Sequence, residues 1–146
     1  MEKSFEPRIL CFACWWCSYE AADLAGTSKL SYPPTVRVVR VPCSGRVDPL
    51  HVLRAFQLGA DGVAVTGCLK DGCHYINGNL RAERRVLRLK RLLDEIGVGG
   101  DRLEMYFMSA GMPDKFVESL RELYERVLKL GPNPLRRIQV EKVDDR

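Results

Sequence analysis

Short apolar runs alternate along the chain with longer segments in which apolar residues recur at helical spacing. The apolar runs are short and suited to buried strands, which we predict at positions 8–13, 36–41, 62–66 and 103–108. The longer segments predict helices at positions 19–25, 49–58, 80–96 and 113–130. Ser18 is expected to cap the first helix, and Asp48 followed by Pro49 marks the start of the second. The chain therefore contains four predicted strand–helix units.

The alternation of strands and helices also predicts the sheet. Parallel strands joined by right-handed helical crossovers place helices on both faces of one sheet. With only four strands we expect the order 2-1-3-4, in a three-layer α/β sandwich of the flavodoxin-like or Rossmann-like type. Residues 7–131 are expected to form this single domain. A Gly-Pro-Asn-Pro breaker at positions 131–134 ends the last helix, and residues 132–146 are assigned to a C-terminal tail. Its polar part, residues 135–146, is predicted to be an arm or a partner-binding extension.

The two long helices each have one apolar face. In helix 80–96 the residues expected to face inward are Val86, Leu89, Leu92, Leu93 and Ile96. In helix 113–130 they are Phe116, Leu120, Leu123, Val127 and Leu130. The other face of helix 80–96 carries Arg81, Glu83, Arg84, Arg85, Arg88, Lys90 and Arg91. This basic face is predicted to be solvated, with docking of a partner as the alternative.

Composition narrows the class of protein. The chain has 146 residues and is 46% hydrophobic, which is enough to bury one core. Its net charge of +4 comes from 23 basic and 19 acidic residues spread along the sequence, without the dense basic block typical of nucleic-acid binding. No apolar run approaches the roughly 20 residues of a membrane span, and the first residues lack the apolar core of a signal peptide. We therefore expect a soluble, cytoplasmic protein that binds neither nucleic acid nor membrane.

Cysteines are the main candidates for chemistry, because five of the six follow predicted strands. These five are Cys14 and Cys17 after the first strand, Cys43 after the second, and Cys68 and Cys73 after the third. Since the carboxyl ends of parallel strands meet at one edge of a sheet, the five thiols are expected to converge there. Cys11 lies inside the first strand and is expected to pack in the core.

The spacing of the thiols leaves several kinds of site open. Structural zinc sites commonly use two C-x-x-C pairs, whereas this chain has one such pair, one C-x-x-x-x-C and an isolated cysteine. A thioredoxin-type dithiol needs only Cys14 and Cys17 and leaves the other three unexplained. A [2Fe–2S] cluster needs four thiolates and tolerates irregular loop spacing. The spacing therefore favours an iron–sulfur site, with zinc, dithiol chemistry and inert thiols as alternatives.

Three motifs around the cysteines resemble those of a known family. They are Cys14-x-Trp16-Cys17-Ser18-Tyr19, Arg40-Val41-x-Cys43-Ser44-Gly45-Arg46, and Gly67-Cys68-x-x-x-x-Cys73-His74-Tyr75 followed by Gly78-Asn79. Over about residues 8–130 the chain resembles the methyl-viologen-reducing hydrogenase delta subunit family. The resemblance implies a [2Fe–2S] electron-transfer subunit with no catalysis of its own. It also implies that the chain is part of a hetero-oligomer. In methanogens such a subunit links hydrogenase subunits to the flavoprotein subunit of heterodisulfide reductase.

The resemblance also implies which residues hold the cluster. By position, the family cysteines correspond to Cys14, Cys17, Cys43, Cys68 and Cys73. A [2Fe–2S] cluster takes four of these five, and we rank Cys68 and Cys73 first, then Cys43 and Cys14. The competing hypothesis is a zinc- or disulfide-containing module that only binds a partner, with a thiol oxidoreductase as a third. The chain shows no convincing acid–base set and no phosphate-binding loop, so no nucleotide or nicotinamide is expected.

Four residues beside the cysteines have more than one interpretation. Arg46 is expected to offset the charge of a cluster or to bind a partner carboxylate, and otherwise to be a solvated loop residue. His74 is expected to be a hydrogen-bonding loop residue more readily than a ligand. Trp15 and Trp16 shield the site, form a docking surface or pack in the ordinary way.

Overall fold

The predicted strands form one parallel sheet. The computed structural model describes residues 5–70, 72–73 and 77–136. The strands are β1 (Ile9–Cys14), β2 (Val36–Val41), β3 (Gly62–Gly67) and β4 (Leu103–Phe107). The helices are α1 (Ser18–Thr27), α2 (Pro49–Gln57), α3 (Gly78–Glu95) and α4 (Pro113–Leu130). Short 3-10 helices, Ser44–Arg46 and Gly100–Arg102, precede α2 and β4.

The strand order is β2-β1-β3-β4, as predicted. Strand β1 pairs with β2 on one side and β3 on the other, and β3 pairs with β4, all in parallel. Ile9 is level with both Val36 and Gly62, so the first three strands begin together and their carboxyl ends form one edge. Every residue of β3 is buried, whereas β2 at the sheet edge is partly exposed. The near-continuous apolar character of β3 is typical of a strand covered on both faces.

The core has two layers, one on each face of the sheet. Phe12, Phe56 and Leu93 belong to the layer under α2 and α3. Cys11 and Phe116 belong to the layer under α1 and α4. Cys11 and Phe12 enter different layers because successive strand residues point to opposite faces. The prediction of a three-layer α/β sandwich is thus confirmed, and Cys11 packs in its core as expected.

Two helix starts show how far local sequence rules apply. Asp48 caps α2 as predicted, since its carboxylate accepts a 2.8 Å hydrogen bond from a backbone N–H of the first turn. His51 completes the capping box, accepting the Asp48 N–H at Nδ1 over 3.1 Å. The prediction that Ser18 caps α1 was wrong, because Ser18 is the first residue of that helix. Its buried hydroxyl donates to the carbonyl oxygens of Cys14 at 3.3 Å and Thr66 at 3.1 Å, which ties α1 to the ends of β1 and β3.

The apolar faces of the two long helices are narrower than predicted. Most of the predicted inward residues are buried, but Leu92, Ile96 and Leu130 are 39%, 56% and 44% exposed. Leu92 lies at the border of the apolar face of α3, Ile96 follows the last residue of α3, and Leu130 is the last residue of α4.

In the described part of the chain, no helix combines the length and the apolar character that crossing a membrane requires.

A buried carboxylate joins the elements at the amino edge of the sheet. Asp61 has a fully buried side chain that pairs with Arg136 at 2.9 Å. It also accepts the backbone N–H groups of Arg8 and Asn133, each at 2.9 Å. These contacts hold residues 133–136, the start of the predicted tail, against the domain. Residues 137–146 of that tail lie outside the described residues.

Candidate metal centre

The five predicted cysteines lie at the carboxyl edge of the sheet. Cys14 is the last residue of β1, and Cys17 directly precedes α1. Cys43 follows the end of β2, and Cys68 follows β3 directly. Cys73 lies in the described part of the loop between β3 and α3. All but Cys73 are buried, and Cys73 is partly exposed.

Three of these thiols form a compact group, which we call the cysteine triad: Cys14, Cys17 and Cys68. Their sulfur atoms all lie within 4.8 Å of one another, close enough to hold one metal ion. The Cys14 and Cys68 sulfurs are 3.8 Å apart. Two thiolates bound tetrahedrally to one metal at about 2.3 Å are also separated by about 3.8 Å. The triad therefore already has the spacing of thiolate ligands.

Cys43 and Cys73 approach each other in front of Gly78. A Cβ atom built on Gly78 would lie 2.3 Å from the Cys43 sulfur and 3.5 Å from the Cys73 sulfur. Glycine as the first residue of α3 thus leaves open the space that both thiols occupy. Cys73 also packs against the cysteine triad, so it connects Cys43 with the other three thiols.

Two more close contacts position the loop that carries Cys43. A Cβ atom on Gly45 would lie 2.9 Å from the Gly78 carbonyl oxygen, and one on Gly67 would lie 2.6 Å from Ser44 Oγ. Neither a backbone oxygen nor the short side chain of Ser44 can move aside as the end of a long side chain can. Glycine at these positions therefore allows the loop to pack between the end of β3 and the start of α3.

Asn79 fixes the loop that carries Cys68. Its side chain is fully buried, and Nδ2 donates to the carbonyl oxygens of Cys68 at 2.9 Å and Leu69 at 2.8 Å. Its Oδ1 accepts the Leu80 N–H at 2.8 Å. In the sequence, Gly78 and Asn79 are visible only as two residues of a motif. Residue type and spacing alone assign them no role, because their partners are distant backbone and sulfur atoms.

The Cys14 thiol has a lowered pKa. The hydrogen bond from the Cys17 thiol is the largest cause that lowers the pKa of Cys14, to about 6, and it outweighs the opposing effect of burial. Backbone N–H groups of Trp16 and Ser44, together with the Cys68 thiol, stabilise the same thiolate. The pKa of Cys17 is raised in turn by its hydrogen bond to Cys14 and by burial. The triad can therefore hold one negative charge near neutral pH before any metal ion binds.

Cys43 and Cys11 ionise less readily than an ordinary thiol. Burial raises the pKa of Cys43, and the neighbouring Cys73 raises it further. The Gly45 N–H, which donates to the Cys43 sulfur over 3.4 Å, acts to lower this pKa but is outweighed. Burial raises the pKa of Cys11 to about 12 despite its contact with Thr66. A bound metal ion deprotonates its thiol ligands directly. Such an ion would offset the raised pKa of Cys43, whereas Cys11 lies in the core layer under α1 and α4 and remains a thiol.

One buried hydroxyl at the site lacks a partner. Ser44 is 1% exposed, and its Oγ makes no hydrogen bond to any described atom. A buried donor left unpaired costs about 1–3 kcal/mol. Ser44 follows Cys43 in the chain, and its N–H interacts with Cys14. Five convergent thiols and an unpaired donor beside them fit a thiolate-bound metal group such as an iron–sulfur cluster, whose sulfur atoms accept hydrogen bonds.

Two tryptophans border the triad. Trp15 and Trp16 are 48% and 47% exposed. Trp16 lines a pocket of about 260 Å³ together with Cys17 and Cys68. The Arg40 guanidinium lies 4.0 Å from the centroid of the Trp15 ring, a cation–π contact that orients it. The pocket brings two triad sulfurs close to the protein surface.

The remaining sequence candidates fall in different places. Arg46 is exposed and lines a second pocket, beside Cys43. His74 lies outside the described residues, so its expected role stays a prediction. The signal for the cysteines was their position after strands, and it located all five at the same edge.

A family model described as the methyl-viologen-reducing hydrogenase, delta subunit, matches residues 9–131. The chain belongs to this family. The resemblance carried by the three cysteine motifs is thereby confirmed, and the match spans every described strand and helix from β1 to α4.

Similar proteins of two kinds are known for this delta-subunit family member. It is 56% identical over 131 residues to the iron-sulfur subunit of the vhu F420-non-reducing hydrogenase of Methanocaldococcus jannaschii, covering 90% of this chain and 98% of that one. It is 48% identical over 132 residues to the iron-sulfur subunit of the F420-non-reducing hydrogenase of Archaeoglobus profundus, covering 90% and 96%. A relative from Methanosarcina acetivorans, one subunit of the Ferredoxin/F(420)H(2)-dependent CoB-CoM heterodisulfide reductase, is 45% identical over 130 residues. That match covers 89% of this chain but 16% of the relative, so the similar region is one part of a much longer protein.

Proposed function

We propose that the chain is the electron-transfer subunit of a hetero-oligomeric complex and carries one [2Fe–2S] cluster. In this proposal it passes electrons between a hydrogenase, or a similar donor, and a heterodisulfide-reductase-type flavoprotein. The observation that carries the proposal is the convergence of five thiols at one sheet edge, three of them with sulfur atoms within 4.8 Å of one another. A [2Fe–2S] cluster would supply one-electron oxidation and reduction at that edge.

The relatives support both the cofactor and the partners. Two relatives named as iron-sulfur subunits of hydrogenases align over nearly their whole length. The relative named as part of a heterodisulfide reductase contains a similar region within its own, longer chain. A domain that occurs both beside a hydrogenase and inside a reductase chain is expected to work between the two. As partners we therefore propose hydrogenase subunits and the flavoprotein subunit of the reductase.

The geometry favours four particular cysteines as the ligands. Three are the triad, Cys14, Cys17 and Cys68, and the fourth is Cys73, which packs against the triad. Cys43 is then the spare thiol, which contacts Cys73 in front of Gly78. This proposal includes Cys17, which the ranking from sequence placed last. The close triad distances are the reason for the change.

The surrounding residues bind and shield the thiolates. Backbone N–H groups of Trp16 and Ser44 stabilise negative charge on Cys14. Asn79 holds the carbonyl groups of the Cys68 loop and so fixes the direction of that thiol. Trp16 lines the pocket beside Cys17 and Cys68. Together these residues hold a compact, largely buried set of sulfur ligands.

The cofactor is tested on protein reconstituted with iron and sulfide in the absence of oxygen. We expect about two iron and two sulfide per chain, and a rhombic EPR signal that appears on reduction. One zinc ion per chain, or no metal, would instead favour the alternative of a zinc- or disulfide-containing binding module. The 3.8 Å spacing of two triad sulfurs also suits zinc, so metal analysis is the decisive measurement.

The ligand set is tested by single Cys→Ser variants at the five positions, with Cys11→Ala as the control. Variants at the triad and at Cys73 should lose the EPR signal or most of the iron. Cys43→Ser should keep both the EPR signal and the iron. The control should keep them too, because Cys11 is fully buried in the core layer under α1 and α4. If Cys43→Ser loses the cluster and Cys73→Ser keeps it, the fourth ligand is Cys43 and the cofactor assignment is unaffected.

The electron-transfer role is tested with the flavoprotein subunit of the same host. Reduced, cluster-loaded chain should reduce the flavin in a stopped-flow experiment, and the metal-free chain should not. Flavin reduction at the same rate with metal-free chain would contradict the proposal.

A further inference from the structure

A basic pocket opens beside the cysteine site, on the side of Cys43. Its volume is about 240 Å³, and it lies where the Cys43 loop meets the first turn of α3. Three arginines line it: Arg46 from the loop, and Arg81 and Arg85 from successive turns of α3. We call it the arginine pocket. Contacts within the fold account for only one of these three cations, Arg85.

The three arginines differ in what holds them. Arg85 is partly buried, and its guanidinium donates to the carbonyl oxygens of Gly45 and Val47, which fixes its charge at the inner wall. Arg46 and Arg81 are exposed. Neither of these two side chains forms a hydrogen bond or an ion pair with any other described residue. Two guanidinium groups that have no carboxylate partner in the described part of the chain therefore face the same pocket.

The backbone adds positive potential to the same place. Helix α3 has 18 residues, and its first turn contains no acidic residue. The side chain of Asn77, at the N-cap position, makes no capping hydrogen bond. The first N–H groups of a helix and the positive end of its dipole favour a negatively charged group. Here they act together with the arginines and not alone.

The size and lining of the pocket indicate which anion it can bind. Sites for cofactors and drug-sized ligands typically have volumes of about 300–1,000 Å³ and aromatic or apolar walls. The arginine pocket is smaller, and none of the described residues that line it has an aromatic ring on which a base or flavin could stack. Arginine side chains recognise carboxylates through two parallel hydrogen bonds. A single Asp or Glu side chain matches the pocket better than a nucleotide does.

We propose that the arginine pocket docks an acidic segment of the flavoprotein partner, with one carboxylate bound between Arg46 and Arg81. This inference rests on the proposed function for the identity of the partner. It goes beyond that function by assigning the docking determinant to residues outside the cluster ligands. Because Arg46 lies three residues after Cys43, binding here would place the partner directly against the cysteine site.

The test compares two charge reversals on the same helix. Arg81→Glu reverses a charge inside the pocket, and Arg91→Glu makes the same change at an exposed residue ten positions later, about 15 Å along the helix. Cluster-loaded full-length chain is titrated against the immobilised flavoprotein subunit of the same host at low and high salt. We expect Arg81→Glu, and likewise Arg46→Glu, to raise Kd about tenfold or more at low salt. Arg91→Glu should stay within about twofold of the unmodified chain.

Further readouts separate this inference from the proposed function. The iron content of each variant is measured, and Arg81→Gln serves as the milder replacement if Arg81→Glu fails to fold. Equal Kd values for the Arg81 and Arg91 variants would overturn the inference. The inference would also be overturned if the unmodified chain kept its cluster but did not bind the flavoprotein. In that case the cofactor assignment would stand. Arg81-dependent binding by a chain that holds no cluster would support the docking site and contradict the cofactor.

One control addresses small anions. Inorganic phosphate is titrated into the same chain at constant ionic strength. Tight phosphate binding that Arg81→Glu abolishes, with flavoprotein binding unchanged, would overturn the inference in favour of a small-anion site.

Discussion

Gly78→Ala is the sharpest single test of the cysteine geometry. The added methyl group would lie 2.3 Å from the Cys43 sulfur, whereas ordinary contact begins near 3.4 Å. The thiol must therefore move by about 1 Å. Moving it by rotation takes the side chain more than about 30° away from its rotamer, at about 0.5–1.5 kcal/mol. A shift of the backbone instead costs about 1–3 kcal/mol, the usual range for overpacking.

Alanine also brings a gain that must be separated from this cost. Replacing glycine by alanine in a helix is favourable by up to about 1 kcal/mol. Gly26→Ala measures that gain, because Gly26 lies in α1 and a methyl group there would meet nothing within 4 Å. We expect Gly26→Ala to stabilise the metal-free chain by about 0.5–1 kcal/mol and Gly78→Ala to destabilise it by about 1 kcal/mol.

The assay is urea unfolding followed by circular dichroism, with reduced, metal-free protein under nitrogen. The double variant Gly78→Ala/Cys43→Ala completes a thermodynamic cycle. Without the Cys43 sulfur, the alanine at position 78 should become as favourable as the one at position 26. If Gly78→Ala alone raises the urea midpoint as much as Gly26→Ala does, the sulfur does not occupy the space in front of Gly78 and the reasoning fails.

Three further predictions concern other parts of the molecule. Asp61→Asn should lower the free energy of unfolding by about 1–3 kcal/mol, because it removes the charge of a buried carboxylate that accepts hydrogen bonds from Arg136 and from the backbone N–H groups of Arg8 and Asn133. Its iron content should be unchanged, and loss of iron from the folded variant would contradict this prediction. Burial would raise the pKa of Glu104, but hydrogen bonds from Arg126 and Lys90 outweigh burial and lower the pKa. The stabilisation that these contacts give the folded chain is therefore present above the pKa of Glu104 in the unfolded chain, and it disappears as pH falls through the lowered value. Glu104→Gln should therefore cost about 1–2 kcal/mol in urea unfolding at neutral pH and progressively less as pH falls through the lowered pKa, and a cost that does not change with pH would contradict the assignment. Ser44→Ala should leave the metal-free chain as stable or more stable, since it removes an unpaired hydroxyl, and should make the reduction potential of the reconstituted protein more negative, as measured by EPR-monitored redox titration; an unchanged potential would show that the hydroxyl does not donate to sulfur.

Much of the fold could be predicted because its causes are local or follow from chain topology. The run at 36–41 contains four valines and forms β2 over the same residues. Asp48 and Pro49 start α2 because a capping carboxylate and a proline need only the next turn as partners. The order β2-β1-β3-β4 follows from short right-handed crossovers, which leave few alternatives for four strands.

Where local rules failed, a tertiary contact had replaced the local one. Ser18 has the residue type of a helix cap, but its hydroxyl donates to Cys14 and Thr66 instead, because α1 starts directly above the ends of β1 and β3. Ile96 has the spacing of an inward residue but lies past the last turn of α3, so the sheet no longer covers it. Periodicity describes which way a residue points, and only packing decides whether a neighbour is there.

The sequence by itself determined which thiols come together and at which edge of the sheet they meet. Five cysteines follow strand ends, and parallel strands present those ends together. Only the tertiary structure decided how the thiols group: Cys14, Cys17 and Cys68 within 4.8 Å of one another, and Cys43 against Cys73 in front of Gly78. The physical reason is that sulfur–sulfur distances depend on how closely two loops approach, which is set by contacts such as that of Gly45 with Gly78. Those contacts join residues 33 positions apart, and no pattern along the chain encodes their distance.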